Sequence, residues 1–346
     1  MSVTSIVRHR LFWPCVTLAL LCAVNVFFNH NFFALEVRNG ALYGSVIDIL
    51  NRAAPLMLVA MGMTLVIATR GIDVSVGATV AIAGAVVAVM IGGTLVIKDG
   101  VQSYVANFPM PLAIIAALAV ALLCGLWNGA LVAGAGMQPI IATLILMVAG
   151  RGVAQLVTEG QIVTIYYEPF FFIGNGFLFG IPFALYIVAA VLLILLYLTQ
   201  RTALGLFIQA VGLNPTAARF SGISARALVL WVYGFCGVTA GIAGLIITSN
   251  VKSADGNNAG LAMELDAILA VALGGTSLDG GRFSLIGTLI GALIIQTLTY
   301  AIYSLGVPPE INLVVKALVV FTVCLIQSER LRSMLFTHTA RIGEKS

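Results

Sequence analysis

The chain has 346 residues, of which 61% are hydrophobic and only 9% are charged. A soluble globular protein is about 45–50% apolar and about 25% charged, so this composition excludes an ordinary soluble enzyme. The low charged fraction also excludes the dense basic surface of a nucleic-acid-binding protein, although the net charge is +4. With a mean hydropathy of +1.10, the chain is predicted to be an all-α protein that crosses a membrane several times.

Ten segments are apolar enough to be transmembrane helices, each of which needs about 20 mostly apolar residues. The first resembles a signal peptide, but no clear cleavage site follows it, so we expect an uncleaved helix. The eighth is short and ends in glycine, which is typical of a broken or re-entrant helix. The ten predicted segments are 11–28, 45–69, 77–97, 112–133, 139–157, 182–199, 227–249, 261–274, 283–304 and 311–327.

Positively charged residues favour the cytoplasmic side of a membrane, and this rule orients the ten segments. With a cytoplasmic N-terminus, most of the 17 basic residues fall on the cytoplasmic side. An odd number of segments would move the basic C-terminal residues outside. We therefore predict a multi-pass protein with both termini in the cytoplasm.

Three GxxxG pairs lie inside alanine-rich apolar segments. Small residues four positions apart let helices approach closely in lipid, so these pairs predict a tightly packed bundle. The pairs are Gly125/Gly129, Gly237/Gly241 and Gly287/Gly291.

A polar segment at 69–77, TRGIDVSVG, separates the second and third apolar segments. Its Asp73 and Ser75 lie in a turn bounded by glycines. As in a capping turn, these side chains can accept hydrogen bonds from the first N–H groups of the next helix. Alternatively, the segment is a broken helix that lines a transport path, where freed backbone groups need such partners. The sequence leaves both interpretations open.

A predicted cytoplasmic loop at 200–226 contains the signals of one short helix at 215–221. Asn214 is a favourable N-cap, Pro215 suits the first helical position, and Gly222 suits the end of the helix. An isolated helix of this length is marginal in water, so it has to dock onto a surface. That surface is either the rest of this chain or a soluble partner.

Two acidic residues, Glu264 and Asp266, open the eighth segment after a polar loop at 252–260. The helix macrodipole favours carboxylates at this position, and both residues are also candidates for a substrate path. The Gly-Gly steps at 274–275 and 280–281 predict sharp turns or a hinge.

Charged and amide side chains inside apolar segments are costly, so each needs a partner or a function. Arg151 is expected either in an internal salt bridge or snorkelling to the membrane surface, or else in a substrate path. Asp48 and Arg52 are spaced to pair on one helix face, and Lys316 is expected to reach the surface or a carboxylate. Four further polar residues lie inside apolar segments, and each could either hydrogen-bond to a neighbouring helix or contact a substrate. They are Asn128, Gln155, Gln296 and Tyr300.

Motifs of catalysis and cofactor binding are missing from the sequence. It contains no GxxxxGK[ST], HExxH or GxSxG motif. Its five cysteines form no CxxC pair, and its three histidines lack the spacing of metal ligands. We therefore expect no catalytic residue, no metal and no cofactor in this chain, and no enzymatic activity.

Four motifs, in order along the chain, resemble those of bacterial ATP-binding-cassette (ABC) sugar permeases of the ribose type. The resemblance covers about residues 45–327, with Ile140 where the family usually has phenylalanine. The motifs are GIDVSVG at 71–77, QPIIATL at 138–144 with GRG at 150–152, RTALG at 201–205 with GLN at 212–214 and SGI at 221–223, and ELDAI at 264–268 with GGTSLDGG at 274–281.

The resemblance implies one permease domain over 1–346, in the bacterial inner membrane. Two such chains, expected to be a heterodimer, would form the path, and a periplasmic protein would deliver the sugar. A separate cytoplasmic ATPase would bind ATP and grip the short helix of the 200–226 loop. Segments 49–55 and 143–155 are most similar to galactofuranose permeases, which implies that sugar or a similar one as cargo. The ATPase-coupling residues implied are Gly212, Asn214, Pro215, Ala217, Ala218, Arg219 and Gly222.

Two other classes of function remain open. A gradient-driven secondary sugar transporter would work without an ATPase. An intramembrane transferase acting on lipid-linked sugar would need an acid or base at a membrane interface, for which Asp73 or Glu264 is conceivable. The lack of a paired acid and base argues against the transferase.

Overall fold

The protein folds as an all-α bundle in the computed structural model. The structure describes residues 11–38, 40–92, 94–98, 101–306, 311, 314–318 and 321–322, with the backbone alone for 94–98 and 101–103. Its helices are α1 Phe12–Phe28, α2 Ser45–Ala68, α3 Val76–Ile91, α4 Met110–Gly129, α5 Pro139–Val157, α6 Glu168–Asn175, α7 Phe183–Arg201, α8 Leu204–Leu213, α9 Pro215–Phe220, α10 Ala225–Val251, α11 Met263–Leu273 and α12 Leu285–Ser304.

Eight short strands form antiparallel pairs in the connections between helices. The strand β1 (Glu36–Arg38) pairs with β2 (Ala41–Tyr43), and β3 (Thr94–Lys98) with β4 (Val101–Val105). The other pairs are β5 (Val163–Thr164) with β8 (Ser253–Ala254), and β6 (Phe177–Leu178) with β7 (Ile181–Pro182).

Six helices of the described residues are long and apolar enough to cross a membrane: α2, α4 with its π-helical extension Ala130–Gly134, α5, α7, α10 and α12. Three shorter apolar helices are α1, α3 and α8. Nine of the ten predicted segments coincide with a helix, and the tenth, at 311–327, lies largely outside the described residues.

The predicted segment 77–97 is too long. Helix α3 ends at Ile91, and Gly92 leaves helical geometry with φ of +41°. The apolar residues that follow belong to β3. The eighth segment is short, as predicted. Helix α11 has 11 residues and spans about 16 Å, against about 30 Å for the hydrocarbon layer.

The prediction of an extended loop at 200–226 is wrong, because α8 fills Leu204–Leu213. The short helix within it is confirmed as α9. Its N-cap Asn214 accepts hydrogen bonds at 3.0 Å from the N–H groups of Thr216 and Ala217, and Gly222 ends it with φ of +83°.

Helix α2 is the centre of the bundle. Of its 18 most apolar consecutive residues, 83% are buried inside the protein, compared with 17% for α7. Helix α10 packs against α2, α3 and α4. The GxxxG glycines allow this packing, because a Cβ atom on Gly125 would lie 2.9 Å from the Cα atom of Gly234 on α10.

The bundle has two ends, which we name by what they carry. The α9 end holds α9, the last turn of α2 and the loop 274–284. The opposite end holds the first turn of α2, the last turns of α10 and α12, and α6. The sharp turns predicted at the Gly-Gly steps lie at the α9 end, with positive φ at Gly275, Gly280 and Gly281.

Candidate functional site

The segment 69–75 enters the bundle as non-helical chain. Helix α2 ends at Ala68, the chain turns at Arg70 with φ of +65°, and α3 begins only at Val76. Asp73 and Ser75 are each 1% exposed. The helix is therefore broken inside the protein, and polar side chains surround the break.

Asp73, Ser75 and Asn128 form one hydrogen-bonded cluster at the break. The Oδ1 atom of Asp73 accepts from the N–H of Ser75 at 3.0 Å and from its hydroxyl at 2.7 Å. Asn128, from α4, donates its Nδ2 to Ser75 Oγ at 2.7 Å and to Asp73 Oδ1 at 3.3 Å. Ser75 makes no side-chain capping bond to α3, so the polar groups bind one another and not the helix terminus.

Thr143 of α5 satisfies the backbone of the same segment. Its hydroxyl oxygen lies 3.3 Å from both the N–H of Val74 and the carbonyl oxygen of Ile72. Two polar atoms beside the segment, Asn128 Oδ1 and the hydroxyl of Tyr233, are buried with no hydrogen-bond partner among the described residues.

Arg151 and Glu264 meet at the first turn of α3. A Cβ atom on Gly77 would lie 3.4 Å from Arg151 Nη2, and closer still to the carboxylate of Glu264. Glu264 is 5% exposed. Three helices, α3, α5 and α11, therefore bring opposite charges to one glycine.

The internal salt bridge expected for Arg151 is not formed. Its guanidinium donates instead to the carbonyl oxygens of Asn257, at 3.3 Å, and of Ala259. The pairing expected for Asp48 and Arg52 is also wrong. Within the described ranges, the ion pairs closer than 4.0 Å are Glu36–Arg38 and Asp266–Lys316.

The loop before α11 is tied to α5. Gln155 donates its amide to Asn257 Oδ1. Asp255 accepts from the side chain of Asn258 at 2.7 Å and from two backbone N–H groups. These hydrogen bonds, with that from Asn258 Nδ2 contributing most, hold the pKa of Asp255 below its ordinary value.

Asp266 has a partner of its own. Lys316 Nζ lies 2.6 Å from Asp266 Oδ2, so the prediction that Lys316 reaches a carboxylate or the surface is resolved in favour of the carboxylate. This pair joins α11 to the helical residues at 314–318.

Gln296 and Tyr300 line a polar cavity of about 990 Å³ at the opposite end of the bundle. Tyr300 donates its hydroxyl to Ser45 Oγ at 2.7 Å, which joins α12 to the start of α2. The predicted path residues therefore occupy two neighbouring clusters at the start of α3 and a third place at the opposite end, while Asp266 pairs with Lys316. The three groups are Asp73, Ser75 and Asn128; Arg151, Gln155 and Glu264; and Gln296 and Tyr300.

Arg70 joins the broken helix to the chain just before α9. Its Nη2 donates to the carbonyl of Leu213 at 2.8 Å, and its Nε donates to the carbonyl of Asp279 at 3.1 Å. The N–H of Gly281 donates to the carbonyl of Ala68 at 2.9 Å. The sequence analysis did not predict that Arg70 connects these segments. The feature that could have indicated it is an arginine close after the end of a helix.

Helix α9 has one docked face and one free face. Ala218 is 4% exposed and packs with Val211 and Ala225, so α9 lies on its own chain. Arg219 is exposed, and the ring of Phe220 is 89% exposed. Phe220 is a second residue that sequence reasoning missed, and it makes the free face suitable for a partner.

Residues 45–324 match the family model described as "Branched-chain amino acid transport system / permease component". The chain belongs to this permease family. The permease is 48% identical, over 96% of its length and 95% of the relative, to the galactofuranose transporter permease protein YtfT of Escherichia coli (strain K12). It is 39% identical, over 96% and 91%, to the fructose import permease protein FruF of Bifidobacterium longum.

The ribose import permease protein RbsC of Escherichia coli (strain K12) is a third relative, 36% identical over 91% of this permease and 92% of RbsC. No solved structure matches the permease. The family resemblance expected from the four motifs is confirmed, together with its extent along the chain.

Proposed function

We propose that this permease is the membrane subunit of an ABC importer that carries a monosaccharide, with galactofuranose as the first candidate. The observation that carries the proposal is the 48% identity with a galactofuranose permease across nearly the whole of both chains. The fructose and ribose permeases among the relatives support a sugar as the cargo class. In this proposal the chain transports and catalyses no reaction of its own.

The α9 end faces the cytoplasm in this proposal, and both termini lie there too. The opposite end carries fewer basic residues than the α9 end, and they include Arg38 and Lys252. The positive-inside rule therefore places the α9 end in the cytoplasm. The basic side chains of the α9 end are Arg70, Arg201, Arg219, Arg226 and Arg282.

A separate cytoplasmic ATPase binds ATP and docks on the free face of α9. The exposed ring of Phe220 beside the cation Arg219 is the kind of aromatic and basic pair that dominates binding at protein interfaces. Arg70 connects this helix to the buried break at Asp73, so a movement of α9 reaches the middle of the bundle.

Two further partners complete the importer. A periplasmic sugar-binding protein docks at the opposite end. A second permease, which we propose to be a similar but distinct chain, packs beside this one. Few residues of α4, α5 and α7 are buried: 22%, 22% and 17% of the 18 most apolar consecutive residues of each helix. Their apolar faces are therefore free for that contact and for lipid.

Purification of the tagged permease from native membranes tests the proposed assembly. An ATPase and a second permease are expected in near-stoichiometric amount by mass spectrometry. Uptake of labelled galactose, fructose and ribose is then measured in cells with an intact or an inactivated ATPase. Labelled leucine belongs in the panel, because the family description names branched-chain amino acids.

Sugar uptake that stops when the ATPase is inactivated supports the proposal. Uptake that survives this inactivation but is abolished by an uncoupler would contradict it and would favour a gradient-driven transporter. Uptake of leucine alone would contradict the sugar assignment.

A further inference from the structure

The cavity at the opposite end has the size of a small-molecule site. Its volume of about 990 Å³ lies at the upper end of the range of roughly 300–1,000 Å³ that is typical of ligand pockets. Helices α2, α6, α10 and α12 enclose it. Of the 13 described residues that line it, only Pro55, Ile247 and Val251 are apolar.

Amides and hydroxyls supply the polar part of the cavity wall, beside a somewhat larger apolar part. Asn51, Asn250 and Gln296 contribute amide groups, and Thr299 and Tyr303 contribute hydroxyls. Amides and hydroxyls can both donate and accept hydrogen bonds, and so can every hydroxyl of a sugar. Thr299 already donates to the carbonyl of Ile295 at 2.9 Å, so its hydroxyl offers an acceptor to a ligand. An apolar cargo or the side chain of leucine would leave these polar groups without partners.

Asn51 carries an unused acceptor in this wall. Its Nδ2 donates to the carbonyl of Gly174 at 3.4 Å, while its Oδ1 is buried without a partner. A buried acceptor without a hydrogen bond is rare in native proteins and calls for an explanation. Because this oxygen has almost no accessible surface, a ligand hydroxyl in the cavity satisfies it once the Asn51 side chain rotates toward the cavity.

The charges of the wall cancel. Among the described residues that line the cavity, the charged ones are Asp48 and Arg52. One carboxylate and one guanidinium give no net charge, so the wall favours a neutral ligand over an anion or a cation. Tyr300 is held in place by its hydrogen bond to Ser45 and by an edge contact with the ring of Phe32, which keeps the wall preorganised.

We infer that this cavity is a sugar-binding site of the permease itself, which holds a neutral polyhydroxylated ligand through Asn51, Gln296 and Thr299. The inference rests on the proposed function and deepens it. Discrimination between sugars then occurs within the membrane subunit as well as in the binding protein that delivers the cargo.

The test uses the complete transporter, reconstituted with its ATPase, second permease and binding protein. Gln296→Met and Thr299→Val remove polar atoms from the wall at nearly constant volume. Thr297→Val is the matched control, because Thr297 is buried on the same helix and does not line the cavity. Uptake of labelled galactose, fructose and ribose is measured beside the ATP hydrolysis that the binding protein stimulates.

Each cavity variant is expected to lower uptake about tenfold, the effect of one lost hydrogen bond to a ligand, and by unequal factors for the three sugars. Stimulated ATP hydrolysis stays unchanged, and Thr297→Val behaves like the unmodified transporter. Unchanged uptake of all three sugars by both cavity variants would overturn the inference. An equal fall of uptake and stimulated hydrolysis would also overturn it, since this end would then dock the binding protein.

Failure of the proposed function looks different. It would appear in the unmodified transporter, as an absence of ATP-dependent sugar uptake. Failure of the cavity inference appears only in the variants, while the unmodified transporter still works.

Discussion

Arg70 and Leu213 join the buried break of the bundle to its surface helix. The arginine begins the non-helical segment that leads to Asp73, and its guanidinium donates a 2.8 Å hydrogen bond to the carbonyl of Leu213. Leu213 directly precedes Asn214, the N-cap of α9. A displacement of α9 by a partner therefore pulls directly on the chain that enters the membrane interior.

Arg70→Ala is expected to uncouple ATP hydrolysis from transport. The variant loses hydrogen bonds to the carbonyls of Leu213, at the end of α8, and of Asp279, in the loop 274–284. Lysine cannot replace both, because only guanidinium presents a planar fork of donors. Uptake should fall about tenfold, as for the loss of one to two hydrogen bonds of a charged donor, while stimulated ATP hydrolysis persists. Uptake and hydrolysis are measured on the same reconstituted sample.

Arg201→Ala is the control for this prediction. Arg201 is exposed at the end of α7, at the same end of the bundle, and none of its side-chain atoms has a hydrogen bond within the described chain. If Arg70→Ala and Arg201→Ala transport equally well, the link between α9 and the break carries no coupling.

Phe220→Ala and Arg219→Glu are expected to release the ATPase. Truncation of a central aromatic residue at a protein interface commonly costs about 2 kcal/mol or more, and charge reversal adds repulsion if the partner surface is acidic. The amount of ATPase recovered with the tagged permease is the measurement. Phe179→Ala is the control, because Phe179 is 91% exposed, like Phe220, but lies at the opposite end. Equal recovery with Phe220→Ala and Phe179→Ala would refute the docking surface.

Gly77→Ala is expected to destabilise the junction of α3, α5 and α11. The added methyl group would collide with the carboxylate of Glu264 and the carbonyl of Gly260. Overpacking of this kind costs about 1–3 kcal/mol, which should appear as a lower thermal midpoint in detergent. Gly152→Ala lies within α5, and no atom is within 4 Å of its new methyl group. It should keep the midpoint or raise it slightly, since alanine is the better helix former. Equal midpoints for the two variants would contradict the packing described here.

Asn128→Ala is expected to loosen the polar cluster at the break. The variant removes the amide that donates to Ser75 and Asp73. Both of these buried side chains then lack one hydrogen-bond donor. The expected cost is about 1–3 kcal/mol, together with reduced uptake. Leu123→Ala, on the same α4, removes the same number of side-chain atoms at an exposed position outside the cluster. If the two variants have the same thermal midpoint and the same uptake, the cluster does not contribute to stability or transport as predicted.

Hydropathy predicted most of this fold because apolar runs in lipid have few alternatives to helix. It failed where an apolar run was ambiguous. Residues 95–97 are apolar and continue α3 in composition, yet they belong to the strand Thr94–Lys98 because Gly92 breaks the helix. Helix α8 was missed since its ten residues are too few for a membrane span and follow a polar stretch.

The site was predicted less well, because its contacts join distant parts of the chain. The polar break at Asp73 is visible as a local motif. The partners of Arg70 lie 143 and 209 residues further along, and Lys316 lies 50 residues from Asp266. No periodicity or spacing rule predicts such pairs, which arise only once the helices have packed.

The central place of α2 has a consequence for biosynthesis. Helix α2 packs most extensively against α10 and α12, which begin at Ala225 and Leu285, and the polar segment after α2 lies beside Tyr233 of α10. At about 5–20 residues per second, α2 and this segment are made about 8 to 30 s before α10 begins. Until α10 arrives, the Asp73 carboxylate of a nascent chain therefore has the hydrogen bonds from Ser75 and Asn128 but lacks the cover that α10 gives it.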